Sequence, residues 1–302
     1  MLNSNIDLSF LAKEKIRKIN LPNAEIGGDS SFSFMKENEN NAKPLLALEI
    51  PYIYDSSYPE VLKKIWNTNN VQEIFSKAQN TNADIISIKF NLSEANIEKE
   101  LPNIKIFLSF LNNITKKTLI LRGANNTTID KTLVPFLAEN APKESIIAFA
   151  DEETYEDIIP SVIKNNHALV LRTPIDINLA KELNILSNDK GMSLDKIIID
   201  PDMGGLGYGL DYGYSIIEKI RLAGFDGDKM LNMPIIAFVG EESYRAKEAK
   251  SDTFIKEWGD FETRAAMWEI SGTSAVISAG ANIVVVWNPQ SINTLKGLLE
   301  WN

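Results

Sequence analysis

Eight short runs of almost unbroken apolar residues recur along this sequence, at 45–50, 83–90, 118–121, 145–150, 168–171, 197–199, 234–239 and 283–287. A strand that is apolar at every position has both faces buried, which happens in a parallel sheet covered by helices. The segments between the runs have helical period and end on recognisable signals. Residues 212–223 carry Lys219 and Arg221 in the last turn with Gly224 beyond, residues 261–279 stop at Gly280, and Pro174-Ile175-Asp176 opens a helix through Leu186. Eight strand–helix units of about 30 residues predict an α/β fold, a (β/α)8 TIM barrel. A doubly wound open sheet is the alternative, because one miscounted strand converts one into the other.

The 302 residues suit a barrel of roughly 250 plus an extension. The barrel is expected over 43–302 and the extension over 1–42. Within the extension, residues 8–19 read as a short amphipathic helix. Ile26-Gly27-Gly28 with Phe32-Ser33-Phe34-Met35 reads as a hairpin able to plug the barrel floor.

Charge and residue types exclude several functions. Lys and Arg number 31 against 41 Asp and Glu, a net charge of −10, and no basic cluster offsets it. Such a surface repels phosphate backbones and anionic lipid, so neither nucleic acid nor membrane is an expected partner. The sequence has no cysteine and one histidine, His167. Disulfides, thiolate nucleophiles and an iron–sulfur cluster ligated by this chain are thereby excluded. With no basic-then-apolar leader and no apolar stretch near ~20 residues, the expected location is cytoplasmic.

Ligands of a (β/α)8 barrel meet the C-terminal ends of its strands. Those ends are Glu49, Lys89, Arg122, Asp151, Arg172, Asp200 with Asp202, Glu241 with Glu242, and Asn288. Part of this is ordinary, since a strand leaving an apolar core must meet water. His167 lies at the opposite end of its strand and reads as a capping or surface residue. Tyr52, Tyr54 and Tyr58, in the loop after the first strand, line a pocket for a flat ligand, line an interface with another protein, or pack on their own barrel. Residues 241–250 read as a solvated charged helix with Glu241 and Arg245 paired at i,i+4.

Asp200-Pro201-Asp202-Met203-Gly204-Gly205-Leu206-Gly207-Tyr208-Gly209 is the least ordinary stretch. Four glycines in six residues permit positive φ and leave no Cβ in the way of a close partner. The spacing matches neither the dinucleotide fingerprint nor a phosphate loop. A tight irregular loop is the plainer reading.

At these residues a family resemblance appears. Leu169-Val170-Leu171-Arg172-Thr173-Pro174-Ile175-Asp176-Ile177-Asn178-Leu179-Ala180-Lys181, the stretch from Asp200 to Tyr214, Gly227-Asp228-Lys229-Met230-Leu231-Asn232-Met233-Pro234 and Val239-Gly240-Glu241-Glu242-Ser243-Tyr244-Arg245-Ala246-Lys247-Glu248-Ala249 carry it, with Trp258-Gly259-Asp260 and Gly280-Ala281-Asn282. They resemble the small subunit of the corrinoid iron–sulfur protein, whose archaeal relative is the delta subunit of the acetyl-CoA decarbonylase/synthase complex. The likeness is close over about 168–290 and looser back to Gly27-Gly28.

The resemblance implies a heterodimer whose large partner carries a four-iron cluster and the cobalamin. A methyl group passes from methyltetrahydrofolate, through a separate methyltransferase and the cobalt, to acetyl-CoA synthase/CO dehydrogenase. That is the carbon-fixing acetyl-CoA pathway of anaerobes. The barrel is then a non-catalytic cover, and Arg172, Asp200, Asp202, Gly204, Gly205, Gly207, Tyr208, Glu241 and Asn288 are its expected corrinoid- or partner-facing residues. The alternative is a pterin-dependent corrinoid methyltransferase, because the family's barrel is related to pterin-binding enzymes. Asp151, Asp200, Asp202, Asn125 and Asn288 are its candidates, but Arg122 and Arg172 on the same rim are expected to pair with the carboxylates. No catalytic residue and no metal ligand is assigned.

Overall fold

Alternation along each strand decides which side chains fill the barrel and which meet the helices. The computed structural model describes residues 13–32, 42–56, 58–251 and 253–300. A hairpin of β1 (Lys18–Leu21) and β2 (Ala24–Gly27) precedes eight parallel strands. These are β3 (Leu45–Pro51), β4 (Ile85–Lys89), β5 (Thr118–Arg122), β6 (Ile146–Ala150), β7 (Ala168–Arg172), β8 (Ile197–Asp200), β9 (Ile236–Ala237) and β10 (Ile283–Val286).

The hydrogen-bonded order is β8-β7-β6-β5-β4-β3-β10-β9, and a parallel bridge from Ile199 to Ile235 closes the ring. The closed barrel, rather than the open sheet, is the fold. Each apolar run in the sequence overlaps one of these strands, with ends that agree to within two residues. The short β9 occupies the middle of 234–239 because Pro234 lacks an N–H and Val239 already begins a helix.

The helices follow in chain order: α1 (Glu60–Trp66), α2 (Val71–Gln79), α3 (Ile97–Ile114), α4 (Thr127–Asn140), α5 (Tyr155–Lys164), α6 (Ile177–Asp189), α7 (Leu210–Phe225), α8 (Val239–Ser243), α9 (Lys247–Lys250), α10 (Phe261–Ala279) and α11 (Pro289–Glu300). Local chemistry sets several boundaries. Asp176 accepts from the N–H groups of Asn178 and Leu179 and starts α6. Asp260 does the same for Thr263 at α10, and Gly280 ends that helix with φ 112°.

Leu46, Leu48 and Ile50 of β3 face the helices with Ile86, Ile88, Leu119 and Leu121 in the outer core. The opposite phase, Ala47, Ile85, Ile120, Ile146, Val170, Ile198, Ile236 and Ile283, fills the barrel. Ile19, Leu21 and Ile26 join that inner cluster, so the β1–β2 hairpin closes the floor. Arg17 ties it down by donating to Asn232 and pairing with Asp195 at 2.7 Å.

Three expectations need correction here. The helix expected over 8–19 fails at its C-terminal end, where Lys18 and Ile19 belong to β1; residues 1–12 lie outside the described residues. Ile19 and Leu21 alternate with Lys18 and Asn20, and burial of that alternate face outweighs the helical reading. The floor hairpin exists but pairs 18–21 with 24–27, while Phe34 and Met35 lie outside the described residues. His167 is buried, not on the surface. Its Nδ1 accepts from the Ser145 N–H at 3.1 Å and its Nε2 lies 2.9 Å from the Ala138 carbonyl oxygen, stapling α4 to the start of β6.

If the hairpin closes the floor, Ile19→Ala opens a cavity that the surrounding strands cannot collapse to fill. The expected loss is about 2–5 kcal/mol, read from the denaturant midpoint. A loss below about 0.5 kcal/mol would show that the floor does not depend on this side chain.

Candidate functional site at the barrel mouth

The inward phase that places isoleucines in the barrel continues to the C-terminal end of each strand, where the residue becomes polar. Glu49, Lys89, Arg122, Arg172 and Asp200 therefore converge above the inner core. Arg122 lies at the centre with none of its side chain exposed. Its Nη1 donates to Glu49 Oε1 at 2.9 Å and its Nη2 to Glu241 Oε2. Glu49 also accepts from Trp287 Nε1 and Ser87 Oγ, both at 2.8 Å. Lys89 reaches Glu241 Oε1 at 3.1 Å and Arg245 reaches the same oxygen at 3.0 Å.

A second pair stands beside the first. Arg172 Nε donates to Asp200 Oδ2 at 2.6 Å, and the Asp202 N–H donates to Asp200 Oδ1. Two inward rings hold the guanidinium groups apart. Arg172 sits 3.5 Å from the centre of the Phe149 ring, and Arg122 sits 4.4 Å from that of Phe238. Phe149 reaches this position because it is the extra residue where the β6–β7 register shifts.

The energetics follow from burial. Burial works against a charge on Arg122, but Glu241 and Glu49 outweigh it and hold the guanidinium pKa above its usual value. Burial raises the Glu241 pKa, yet Arg122 and Lys89 overcome this and hold the carboxyl well below the ordinary range. At Asp200 burial prevails over Arg172, so its carboxyl lies above the usual value.

Two cavities open on this face. One, of about 150 Å3, is lined by Glu49, Tyr58, Lys89, Glu241, Arg245 and Trp287, among others. The other, of about 110 Å3, is lined by Asn125, Arg172, Asp200, Asp202, Glu241 and Arg245, among others. Glu241 and Arg245 border both. Among the described residues, no group of three or more His, Cys, Asp or Glu could hold a metal ion.

The structure gathers some expected site residues and disperses others. Arg172, Asp200, Asp202 and Glu241 meet at the mouth. Asn288 does not face it: its Oδ1 accepts from the Gln290 N–H at the start of α11 and its Nδ2 donates to the Tyr244 hydroxyl. Asp151 is a turn residue, accepting from the Glu153 N–H and the Thr154 hydroxyl. Residues 241–250 are not one solvated helix. The chain breaks between α8 and α9, and Gly240 packs so closely on Trp287 that Glu241 is driven into the mouth.

The glycine loop lies beside the mouth, and its missing side chains serve mainly the chain itself. A Cβ on Gly204 would overlap the Tyr208 carbonyl oxygen, and one on Gly205 would come within 2.8 Å of the Glu242 carbonyl oxygen. Only Gly207 and the 83% exposed Tyr208 face outward. Tyr52 and Tyr58 pack down, Tyr52 on Phe90 and Tyr58 on Trp287.

Sequence reasoning placed Glu49, Lys89 and Arg122 on the rim without selecting them. Counting the inward phase of each strand would have selected all three. Phe149 and Phe238 it missed, since a register shift carries no sequence signal of that kind, and Arg245 it paired with Glu241 but placed on a solvated helix.

With this geometry in hand, comparison with known proteins is informative. The family model described as CO dehydrogenase/acetyl-CoA synthase delta subunit matches residues 20–271. The chain belongs to that family. The acetyl-CoA decarbonylase/synthase complex subunit delta of Methanocaldococcus jannaschii is 28% identical over 218 residues, covering 71% of this chain and 53% of its own length. The subunit of the same name from Archaeoglobus fulgidus is 33% identical over 188 residues, covering 60% and 41%.

The chain thus spans about half the length of these curated relatives. Among solved structures, Yersinia pestis DHPS with a pterine–sulfa conjugate superposes with TM-score 0.60 at 13% identity, covering 94% of this chain and 97% of that one. Coxiella burnetii dihydropteroate synthase in complex with pteroic acid gives 0.54 at 15%, covering 86% and 93%. These likenesses establish the (β/α)8 fold alone. No helix among the described residues is long and apolar enough to cross a membrane.

One buried acid next to the mouth gives a pH test. Glu269 of α10 accepts from the N–H groups of Trp287 and Asn288, and burial pushes its carboxyl up from 4.5 to about 7. The folded state therefore holds a proton that the unfolded chain releases near 4.5. Its stabilisation is complete below pH 4.5 and is lost as pH rises to about 7. Glu269→Gln should remove that slope, so wild type minus variant stability should fall across this window. A difference independent of pH would contradict the assignment.

Proposed function

We propose that this chain is the small, non-catalytic subunit of a heterodimeric corrinoid iron–sulfur methyl carrier. Its barrel face covers the cobalamin of the large partner while methyl passes from methyltetrahydrofolate to acetyl-CoA synthase in the reductive acetyl-CoA pathway. Family membership across residues 20–271 supports the assembly. The observation that carries the non-catalytic reading is the mouth itself. Arg122, Arg172 and Lys89 are each committed to a carboxylate of the same chain rather than held ready for a substrate.

Cofactor fit favours a cover over a binding pocket. The chain has no cysteine for a cluster. Its two mouth cavities, of about 150 and 110 Å3, are each too small to enclose a corrin ring, since pockets for ligands of drug size and above begin near ~300 Å3. The corrin must then be held by the partner, with this rim laid against it. Cobalt(I) is a strong nucleophile lost to water and oxidants, so a removable cover is a functional requirement. Arg172, Asp202, Gly207 and Tyr208 are the proposed contacting residues. Gly204, Gly205, Asp200, Glu241 and Asn288 act behind them, holding loop and mouth in shape. Acetyl-CoA synthase/CO dehydrogenase and the methyltransferase are proposed as successive visitors to the complex.

The pterin-dependent methyltransferase reading has one specific feature in its favour. Asn125, Asp200 and Asp202 border the smaller cavity, and a carboxylate there suits the paired N–H groups of a pterin edge. Arg172 and the Asp202 N–H already occupy both oxygens of Asp200, which weighs against it.

Mixing the chain with the large subunit should give a one-to-one complex, which calls for an interface of about 1,600 Å2 in total. Cobalt(I) absorbance should decay several-fold more slowly in the complex than in the large subunit alone. Tyr208→Ala, preferable to a substitution at Gly207 with its φ of 74°, should return part of that protection. Failure to associate, or decay unaffected by association, would contradict the proposal.

A further inference from the structure

Glu241 is held as a ligand would be. Three cations from three elements converge on its carboxylate, Arg122 from β5, Lys89 from β4 and Arg245 from the break after α8. The set is two-sided, with Lys89 and Arg245 on Oε1 and Arg122 on Oε2. Yet the fit is incomplete. The side-on edge of a guanidinium presents Nε and Nη2 together to a carboxylate. Here Glu241 takes Nη2, while the buried Arg122 Nε has no hydrogen-bond partner among the described residues. Tethered through α8, Glu241 engages one half of that edge, whereas an untethered carboxylate can engage both.

The same side chain divides the mouth. Both cavities are bordered by Glu241 and Arg245, so this pair is the wall between them. Moving Glu241 aside would join the two, but it would take from Lys89 its ion pair and leave the fully buried Arg122 with Glu49 alone. A neutral ligand cannot compensate for that. A carboxylate can, as Glu241 itself shows by taking Lys89 and Arg245 on one oxygen and Arg122 on the other.

We propose that Arg122, Lys89 and Arg245 form a carboxylate-binding site that the protein keeps filled with its own Glu241, and that a small carboxylic acid displacing Glu241 joins the two mouth cavities into one cleft. This site stands independently of the subunit's role in methyl transfer.

The test uses acetate as the probe, with chloride at matched ionic strength as the control. Glu241→Ala should unfold roughly 6–12 °C below wild type in chloride, because Arg122 loses one of its two carboxylates and Lys89 its ion pair. Acetate should recover most of this loss saturably. Its half-effective concentration should be at least about 10-fold below that for any effect on wild type, where the tethered Glu241 competes at high effective concentration.

Glu241→Gln fills the space with a neutral group and should respond little to acetate. Adding Arg122→Met to Glu241→Ala should abolish the response. If Glu241→Ala does not fold in chloride, refolding in acetate must restore it. Equal effects of acetate and chloride, a Glu241→Ala variant as stable as wild type, or no recovery on refolding in acetate would each overturn the proposal.

Discussion

A guanidinium with no exposed surface, Arg122, sets the terms for everything above the barrel's apolar layers. It stands where the inward phase of β5 runs out of hydrocarbon, and it has to be neutralised there. Glu49 and Glu241 do this, and each carboxylate then needs further donors: Ser87 and Trp287 for Glu49, Lys89 and Arg245 for Glu241. The positions of α8, of Gly240 against Trp287 and of Gly205 against the Glu242 backbone all serve to deliver the second carboxylate. Such a buried network adds little net stability over a hydrocarbon core, but losing one member leaves an unpaired charge. Its effect is to fix one arrangement of the mouth.

That arrangement bears on function. A barrel that acts on a small substrate leaves converging polar groups unsatisfied until the substrate arrives. Here the charged groups pair with one another, with the Arg122 Nε left over, and Phe149 and Phe238 occupy the space between the two arginines. What the face offers outward is a rim: Tyr208 beside the glycine loop, Tyr212 at the start of α7, and the stacked Phe254, Trp258 and Trp268. Exposed aromatic surface on a chain of net charge −10 suits a protein partner better than a polyanion.

The barrel was legible because its signal is repeated. Eight apolar runs and the helix stops at Gly280 and Asp176 each restate the same period, so an error at one does not spread. The family was legible from long ordered motifs. The site was legible only in outline. Rim charges mark where strands end, but their pairing depends on the ring order, which brings Glu49 beside Arg122 across β4 and sets Glu241 opposite both. Glu241 illustrates the limit. Its i,i+4 partner Arg245 suggested an exposed helix, and the pair does form, but the break at Tyr244 turns the carboxylate inward. The floor hairpin was mislocated for a related reason. Four-residue strands carry too little pattern to compete with an overlapping helical reading until the inner core selects one face.

The central proposal is that the cations of the barrel mouth are taken up by the chain's own carboxylates rather than by a pterin substrate. Calorimetric titration of the purified chain with methyltetrahydrofolate measures this directly. The account predicts no saturable heat up to about 1 mM, equivalent to binding weaker than about −4 kcal/mol. Saturable micromolar binding that Asp200→Asn abolishes would contradict it and identify the mouth as a methyltransferase site.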